Sequence, residues 1–181
     1  MNKFRIKSVR LMQSVKLLME VYKMNLKILN TDSTNVEFTK LIKLLDNDLN
    51  ERYGELQKQY NKHNKIDYIN DVVIIYKDEV PVACGAFKER NIYNIELKRI
   101  FVKKENRRQG LSKLIISELE KIGRSKGYKY ALLETGIIQH EAINLYKNTG
   151  YEIIENYEPY IGNTNSICMK KDLFRYCANV L

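Results

Sequence analysis

The stretch Glu96–Glu120, ELKRIFVKKENRRQGLSKLIISELE, decides the fold. Leu97 to Val102 is an apolar run rich in β-branched and aromatic residues and reads as a strand. It feeds the basic turn Arg107-Arg108-Gln109-Gly110-Leu111-Ser112. Leu111, Leu114, Ile115, Leu119 and Ile122 then recur at helical spacing, and Gly127 closes the pattern. A strand, tight turn and helix in this order converge free backbone N–H groups and the positive end of a helix on one point. Such a point suits a phosphate.

A second block lies downstream. Ala131-Leu-Leu-Glu-Thr-Gly136 reads as another strand, and Gln139-His-Glu-Ala142-Ile-Asn-Leu-Tyr146-Lys-Asn-Thr-Gly150-Tyr151 as a helix stopped by glycine. The spacing Arg107-x-x-Gly110-x-Ser112 resembles the (Gln/Arg)-x-x-Gly-x-(Gly/Ala) signature of the GNAT superfamily of N-acetyltransferases, with Ser112 where that family has Gly or Ala. The downstream block resembles that family's Asn-x-x-Ala-x-x-Leu-Tyr helix closed by Gly-Phe or Gly-Tyr. Two blocks agree in order and spacing, and the resemblance spans roughly Leu26 to Leu173.

The remaining pattern fits one α/β domain of the usual length. Leu26–Leu29 is a short strand, and Thr31–Thr34 supplies helix-start residues. Val36, Leu41, Ile42, Leu44, Leu45 and Leu49 then predict a helix to about Glu51, ended by Gly54. Glu55–Lys65 is polar, a helix or a loop. Asp71–Tyr76 and Pro81–Phe87, separated by Lys77-Asp78-Glu79, predict a hairpin, and Ile92–Val102 a third strand. Tyr130–Thr135, Tyr151–Ile154 and Ser166–Met169 complete the strands, in an order with a β-α-β core. Residues 1–23 are basic and mildly amphipathic and are set apart as an extension that the domain, 24–173, does without. Residues 174–181 form a short tail.

Composition bounds the function. Hydrophobic residues make up 44% and charged residues 29%, the balance of a globular domain. Lys and Arg number 31 against 22 Asp and Glu, a formal net charge of +9 that draws anions. Much of the excess is local: Lys98, Arg99, Lys103, Lys104, Arg107, Arg108 and Lys113 have only Glu105 against them in that interval. Aromatic residues are not interleaved with this basic run as a stacking platform for nucleic acid requires. Cys84, Cys168 and Cys177 show no paired spacing, and His63 and His140 lie far apart, which argues against a disulfide framework and a metal site. An intracellular, cytoplasmic protein is the simplest expectation. No apolar run approaches the ~20 residues of a membrane span, and Lys16 and Glu20 interrupt any signal-peptide core.

The resemblance implies more. The fold would be a mixed, mostly antiparallel sheet flanked by helices, with a splayed strand pair holding CoA. The donor would be acetyl-CoA. Backbone groups of Ile100, Phe101 and Val102 would pair with its pantetheine arm, and Arg107, Arg108, Gln109, Gly110, Leu111 and Ser112 would cradle its pyrophosphate. Gln139 stands where the family often has a cofactor-contacting asparagine. Tyr146 aligns with the tyrosine that protonates the leaving thiolate, although tyrosines on helices are often simple packing and the chain has 13 of them. Glu96 matches a general-base glutamate; the other reading is a strand residue paired with Lys98 or Arg99. Glu134 is a second carboxylate placed to hold a cationic amine, or merely structural. The function implied is transfer of an acetyl group to a primary amine of a small molecule or peptide, by direct attack in a ternary complex. The alternative is a non-catalytic CoA-sensing or nucleic-acid-binding module. No membrane partner is expected, and homodimer formation is left open.

Overall fold

The computed structural model describes residues 25–54 and 68–175. The expectations for the amino-terminal extension, the polar segment after Gly54 and the tail beyond residue 175 lie outside the described residues. In chain order the elements are β1 (Leu26–Thr31), α1 (Val36–Tyr53), β2 (Asp71–Lys77), β3 (Val80–Asn91), β4 (Asn94–Val102), α2 (Leu111–Ser125), β5 (Tyr130–Gly136), α3 (His140–Asn148), β6 (Glu152–Ile154) and β7 (Ser166–Asp172). The strands form one sheet in the order β1-β2-β3-β4-β5-β7-β6. Every neighbouring pair is antiparallel except β4 and β5. The expected mixed, mostly antiparallel sheet is thus present.

The sheet is covered on both faces, which explains why its central strands read as nearly continuous apolar runs. Alternate residues of β2 to β5 go opposite ways. Val73, Ile75, Ala83, Ile95 and Leu97 meet Ile115 and Leu119 of α2, while Val72, Ile74, Cys84 and Ala86 meet Phe38, Leu41 and Ile42 of α1. The α3 residues Ala142, Leu145 and Tyr146 join the α2 side. The start of α1 falls at Val36 because the Asn35 side chain accepts from the Glu37 and Phe38 amides at 2.9 and 3.2 Å. The strand expected from Ile92 begins at Asn94, since the Asn91 side-chain oxygen Oδ1 accepts from Tyr93 N and Asn94 N and turns the chain there.

A buried charged cluster ties the α3 end of the sheet to α2. Glu120, 5% exposed, accepts from Lys171 Nζ at 2.8 and 2.7 Å and from the Tyr151 hydroxyl at 3.1 Å. Arg124 approaches it at 3.8 Å. The Tyr151 ring in turn packs edge-on against Tyr146, with centroids 5.8 Å apart.

Candidate active site

Strand β4 is paired on both sides at its start and on one side at its end. Its parallel register with β5 runs from Asn94↔Tyr130 to Leu97↔Leu133 and stops, whereas its pairing with β3 continues to Ala83↔Val102. At the point of parting, Arg99 adopts a left-handed φ of 60° and the β3 register shifts between Cys84 and Ala86. This is a bulge, which bends the strand away from β5. Gly85 sits opposite. A Cβ there would fall 2.4 Å from Ile115 Cγ2 and 2.6 Å from Ile100 Cδ1, so only glycine lets the bent strand pack down on α2. The backbone edge of Ile100–Val102 that faces β5 is left without a strand partner.

The parted strands frame a cleft of about 710 Å³. Ile100, Phe101, Val102, Arg107, Arg108, Gly110, Leu111, Ser112, Gln139 and Tyr146 all line it, so ten of the residues expected from sequence meet there. Gln109 does not line it; its side-chain oxygen accepts from Lys77 Nζ at 3.0 Å instead. Arg108 and Gly110 take left-handed φ values of 63° and 80°, and they swing the chain so that α2 starts with its axis toward the cleft. Among the described residues no side chain caps this start, and no acidic residue lies in its first turn. The first amides of α2 are therefore open donors at the positive helix end, which favours an anion.

Arg107 is held on the cleft wall, with Nε donating to the Val102 carbonyl at 3.1 Å and a terminal nitrogen to Asp48 at 3.3 Å. Asp48 is also 3.3 Å from Arg52 and 3.4 Å from Lys104. Glu51 pairs with Lys104 at 3.0 Å, Asp46 with Arg99 at 2.6 Å, and Arg52 with Glu141 at the start of α3. The last two turns of α1 thus lie across the cleft, stitched to the phosphate turn, the bulge and α3. Reading the sequence alone gave α1 no part in the site. The available signal was a run of acids, Asp46, Asp48 and Glu51, matching a basic turn far along the chain.

A smaller chamber of about 120 Å³ forms the inner end of the cleft, where β4 and β5 part. Ile100, Gln139 and Tyr146 belong to both spaces, and Arg99, Glu134, Thr135, Gly136 and Tyr53 complete the inner one. Tyr146 is 7% exposed, and its hydroxyl makes no hydrogen bond among the described residues. Burial pushes its phenol well above the ordinary value, and the Glu134 charge pushes it further. Among the described residues Glu134 is the sole carboxylate on the chamber wall. Burial raises its carboxyl; the Ser166 hydroxyl, donating to Oε1 at 2.6 Å, and the Lys98 charge offset this in part, while the Glu96 charge adds to it.

Glu96 sits elsewhere. It is 6% exposed and lines neither space. Its carboxylate accepts from Arg90 and Lys98 at 3.3 Å and from the hydroxyls of Tyr157 and Tyr160 at 3.3 and 3.4 Å. Arg90 also stacks on the Tyr157 ring at 4.4 Å. The Lys98 pairing is the one expected for a strand residue; Arg99 goes to Asp46 instead. Tyr157 and Tyr160 are drawn onto this carboxylate, and burial raises both phenols. Among the described residues no cluster of His, Cys, Asp and Glu could hold a metal ion, and no helix is long and apolar enough to cross a membrane.

The bulged, parted strand pair beside an uncapped helix start is the splayed pair that the sequence resemblance implied. A sequence profile of the Acetyltransferase (GNAT) family matches residues 38–151, and the chain belongs to that family. It is 33% identical over 73 residues to human N-acetyltransferase 8, covering 40% of this chain and 31% of that protein. It is 29% identical over 93 residues to YsnE, an uncharacterized N-acetyltransferase of Bacillus subtilis, covering 50% of this chain and 62% of that one. The matched stretches thus span less than two thirds of these relatives. Among solved structures, an acyl-CoA N-acyltransferase of Klebsiella pneumoniae superposes with a TM-score of 0.69 at 29% identity, over 82% of this chain and 98% of that one. A GNAT family acetyltransferase of Elizabethkingia anophelis with acetyl-CoA bound shares the fold, with a TM-score of 0.60 at 17% identity over 82% of this chain and 98% of its own.

Proposed function

We propose that the protein transfers the acetyl group of acetyl-CoA to a primary amine by direct attack. The observation that carries this reading is the inner chamber, which holds the Tyr146 hydroxyl and the Glu134 carboxyl at the end of a cleft leading from open amides. The diphosphate would sit on the amides that follow Gly110, with Arg107 and Arg108 alongside. The pantetheine arm would run along the unpaired edge of Ile100–Val102, which fixes the thioester next to Tyr146 and removes much of the entropy of encounter. Gln139 would border that arm.

The amine arrives as an ammonium ion. Glu134, the more basic for its burial, takes one proton from it and releases it to solvent; Glu96, already engaged by two cations and two phenols, organises the surrounding loop instead. The freed nitrogen attacks the thioester carbon, and the N–C bond forms. As the tetrahedral centre collapses, the C–S bond breaks and the electron pair leaves on sulfur. Tyr146 keeps its proton at any working pH and so stands ready as a donor. A thiolate is a weaker base than a buried phenolate, since the unperturbed values are ~8.5 and ~10. Transfer to sulfur is therefore completed as Tyr146 recovers the second proton leaving nitrogen, by way of Glu134.

The test is a panel of amines, polyamines, amino acids and peptides with acetyl-CoA, following release of free thiol. General acid help is worth roughly 10²–10⁴-fold, so Tyr146→Phe lowers turnover by about that factor while CoA stays bound. Wild-type turnover in Tyr146→Phe would remove the phenol from the mechanism. CoA binding with no thiol release for any amine would leave the sensing module.

A further inference from the structure

Tyr53, the last residue of α1, closes the inner chamber from the side opposite the strands. Its ring is not loosely placed. Gln139 Nε2 donates to its hydroxyl at 3.1 Å, and the neighbouring Arg52–Glu141 ion pair ties the same end of α1 to α3. The hydroxyl lies against Gly136, the last residue of β5, where an added Cβ would fall 1.8 Å from the oxygen and 2.8 Å from the ring carbon that bears it. Gly136 does not sit at positive φ. What bars a Cβ there is space and not backbone conformation, and what fills the space is the Tyr53 phenol.

The chamber that remains holds about 120 Å³. A cavity of ~150 Å³ takes benzene, with six non-hydrogen atoms, so this one takes about five. An acetyl group supplies three, and the attacking nitrogen and its carbon supply two more. Within the chamber a longer acyl chain therefore competes with the amine for the same space. Leu45, Leu49 and Ile100 close the apolar sides and Thr135 the polar one; Ile100 rests by its Cδ1 on Gly85, and Tyr53 by its hydroxyl on Gly136.

Resting on the acetyl-transfer reading above, we propose that Tyr53, seated on Gly136, is the specificity-determining residue that limits the transferred acyl group to two carbons. The donor class is thus acetyl-CoA to the exclusion of propionyl- and butyryl-CoA, and the limit is steric.

The experiment follows thiol release from acetyl-CoA, propionyl-CoA and butyryl-CoA with an amine that the panel above finds to be acetylated, so that the amine takes its share of the chamber. One methylene too many is worth ~10–200-fold. Wild-type protein should accordingly use butyryl-CoA with a kcat/KM at least about tenfold below that for acetyl-CoA. Tyr53→Ala should bring that ratio to within about threefold, because the chamber then admits two more methylenes. Gly136→Ala, which expels the phenol without touching Tyr53, should relax it in the same direction. Tyr53→Phe keeps the ring and should keep the discrimination. Equal kcat/KM for the two thioesters in the wild type, or an unaltered ratio in Tyr53→Ala, would overturn the proposal. A wild type that releases no thiol with any amine of the panel would overturn the acetyl-transfer reading itself, an outcome separate from either of these.

Discussion

Replacing Glu120 by Gln keeps the shape of the side chain and one acceptor oxygen but removes its charge. In the native cluster that charge is met by Lys171 at 2.7 and 2.8 Å, with the Lys171 side chain only 14% exposed. Glu120→Gln leaves this ammonium group without its counter-ion. Breaking a buried pair from one side costs ~3–5 kcal/mol. Lys171 keeps some access to water and can extend toward it, which trims the figure to about 2–4 kcal/mol. For a chain of this size each kcal/mol lowers the melting temperature by ~2–4 °C, so a fall of about 4–16 °C is expected in thermal denaturation followed by circular dichroism. The double variant Glu120→Gln/Lys171→Met removes both charges and should recover most of the loss, since an apolar replacement of an ion pair is often neutral. Melting of the single variant within about 2 °C of wild type, or a double variant no better than the single, would refute the account.

Two further outcomes test the site. At Gly110 a Cβ would meet nothing within 4 Å. Gly110→Ala should therefore fold, at a left-handed strain of ~1–2 kcal/mol, yet lose CoA affinity in calorimetry because the new methyl stands where a phosphate approaches; undiminished affinity would misplace the phosphate site. At Glu134 the folded-state carboxyl is raised, so its neutral form is favoured by folding. The associated stability is complete below the unfolded value of ~4.3 and is lost as pH rises through the raised one. Glu134→Gln should melt above wild type at neutral pH, lose that advantage below about pH 4, and turn over slowly throughout. A variant less stable than wild type at neutral pH would contradict the assigned direction.

Local pattern made the framework legible. The apolar runs at Asp71–Tyr76 and Pro81–Phe87, the turn between them and the periodicity of Leu111–Ile122 required no partner from afar, and all became the expected elements. The turn at Gly110 was legible for the same reason, because strand, glycine and helix start are consecutive. The two carboxylates were not separable in this way. Glu96 and Glu134 both lie on strands beside the site, and which one looks into the gap depends on where β4 parts from β5 and on Tyr157 and Tyr160, some sixty residues further along than Glu96. Tyr53 was invisible for a similar reason. Its role depends on a missing side chain at Gly136, and nothing local to either residue announces the other.

Asp48 gives the mouth of the cleft a character that the basic composition of the turn does not suggest. Arg52, Lys104 and Arg107 about the mouth are matched by Asp48, Glu51 and Glu141, while Arg108 and Lys113 on its lining add two further cations. The fold carries its own counter-ions. A diphosphate entering this mouth exchanges with a tethered carboxylate instead of stripping salt ions from bare cations, so less free salt is released on binding. Affinity for a phosphorylated ligand should then decline with ionic strength more gently than the count of arginines and lysines implies. A nucleic acid, whose attraction to proteins rests on releasing condensed ions, would gain less from these three matched cations than from bare ones.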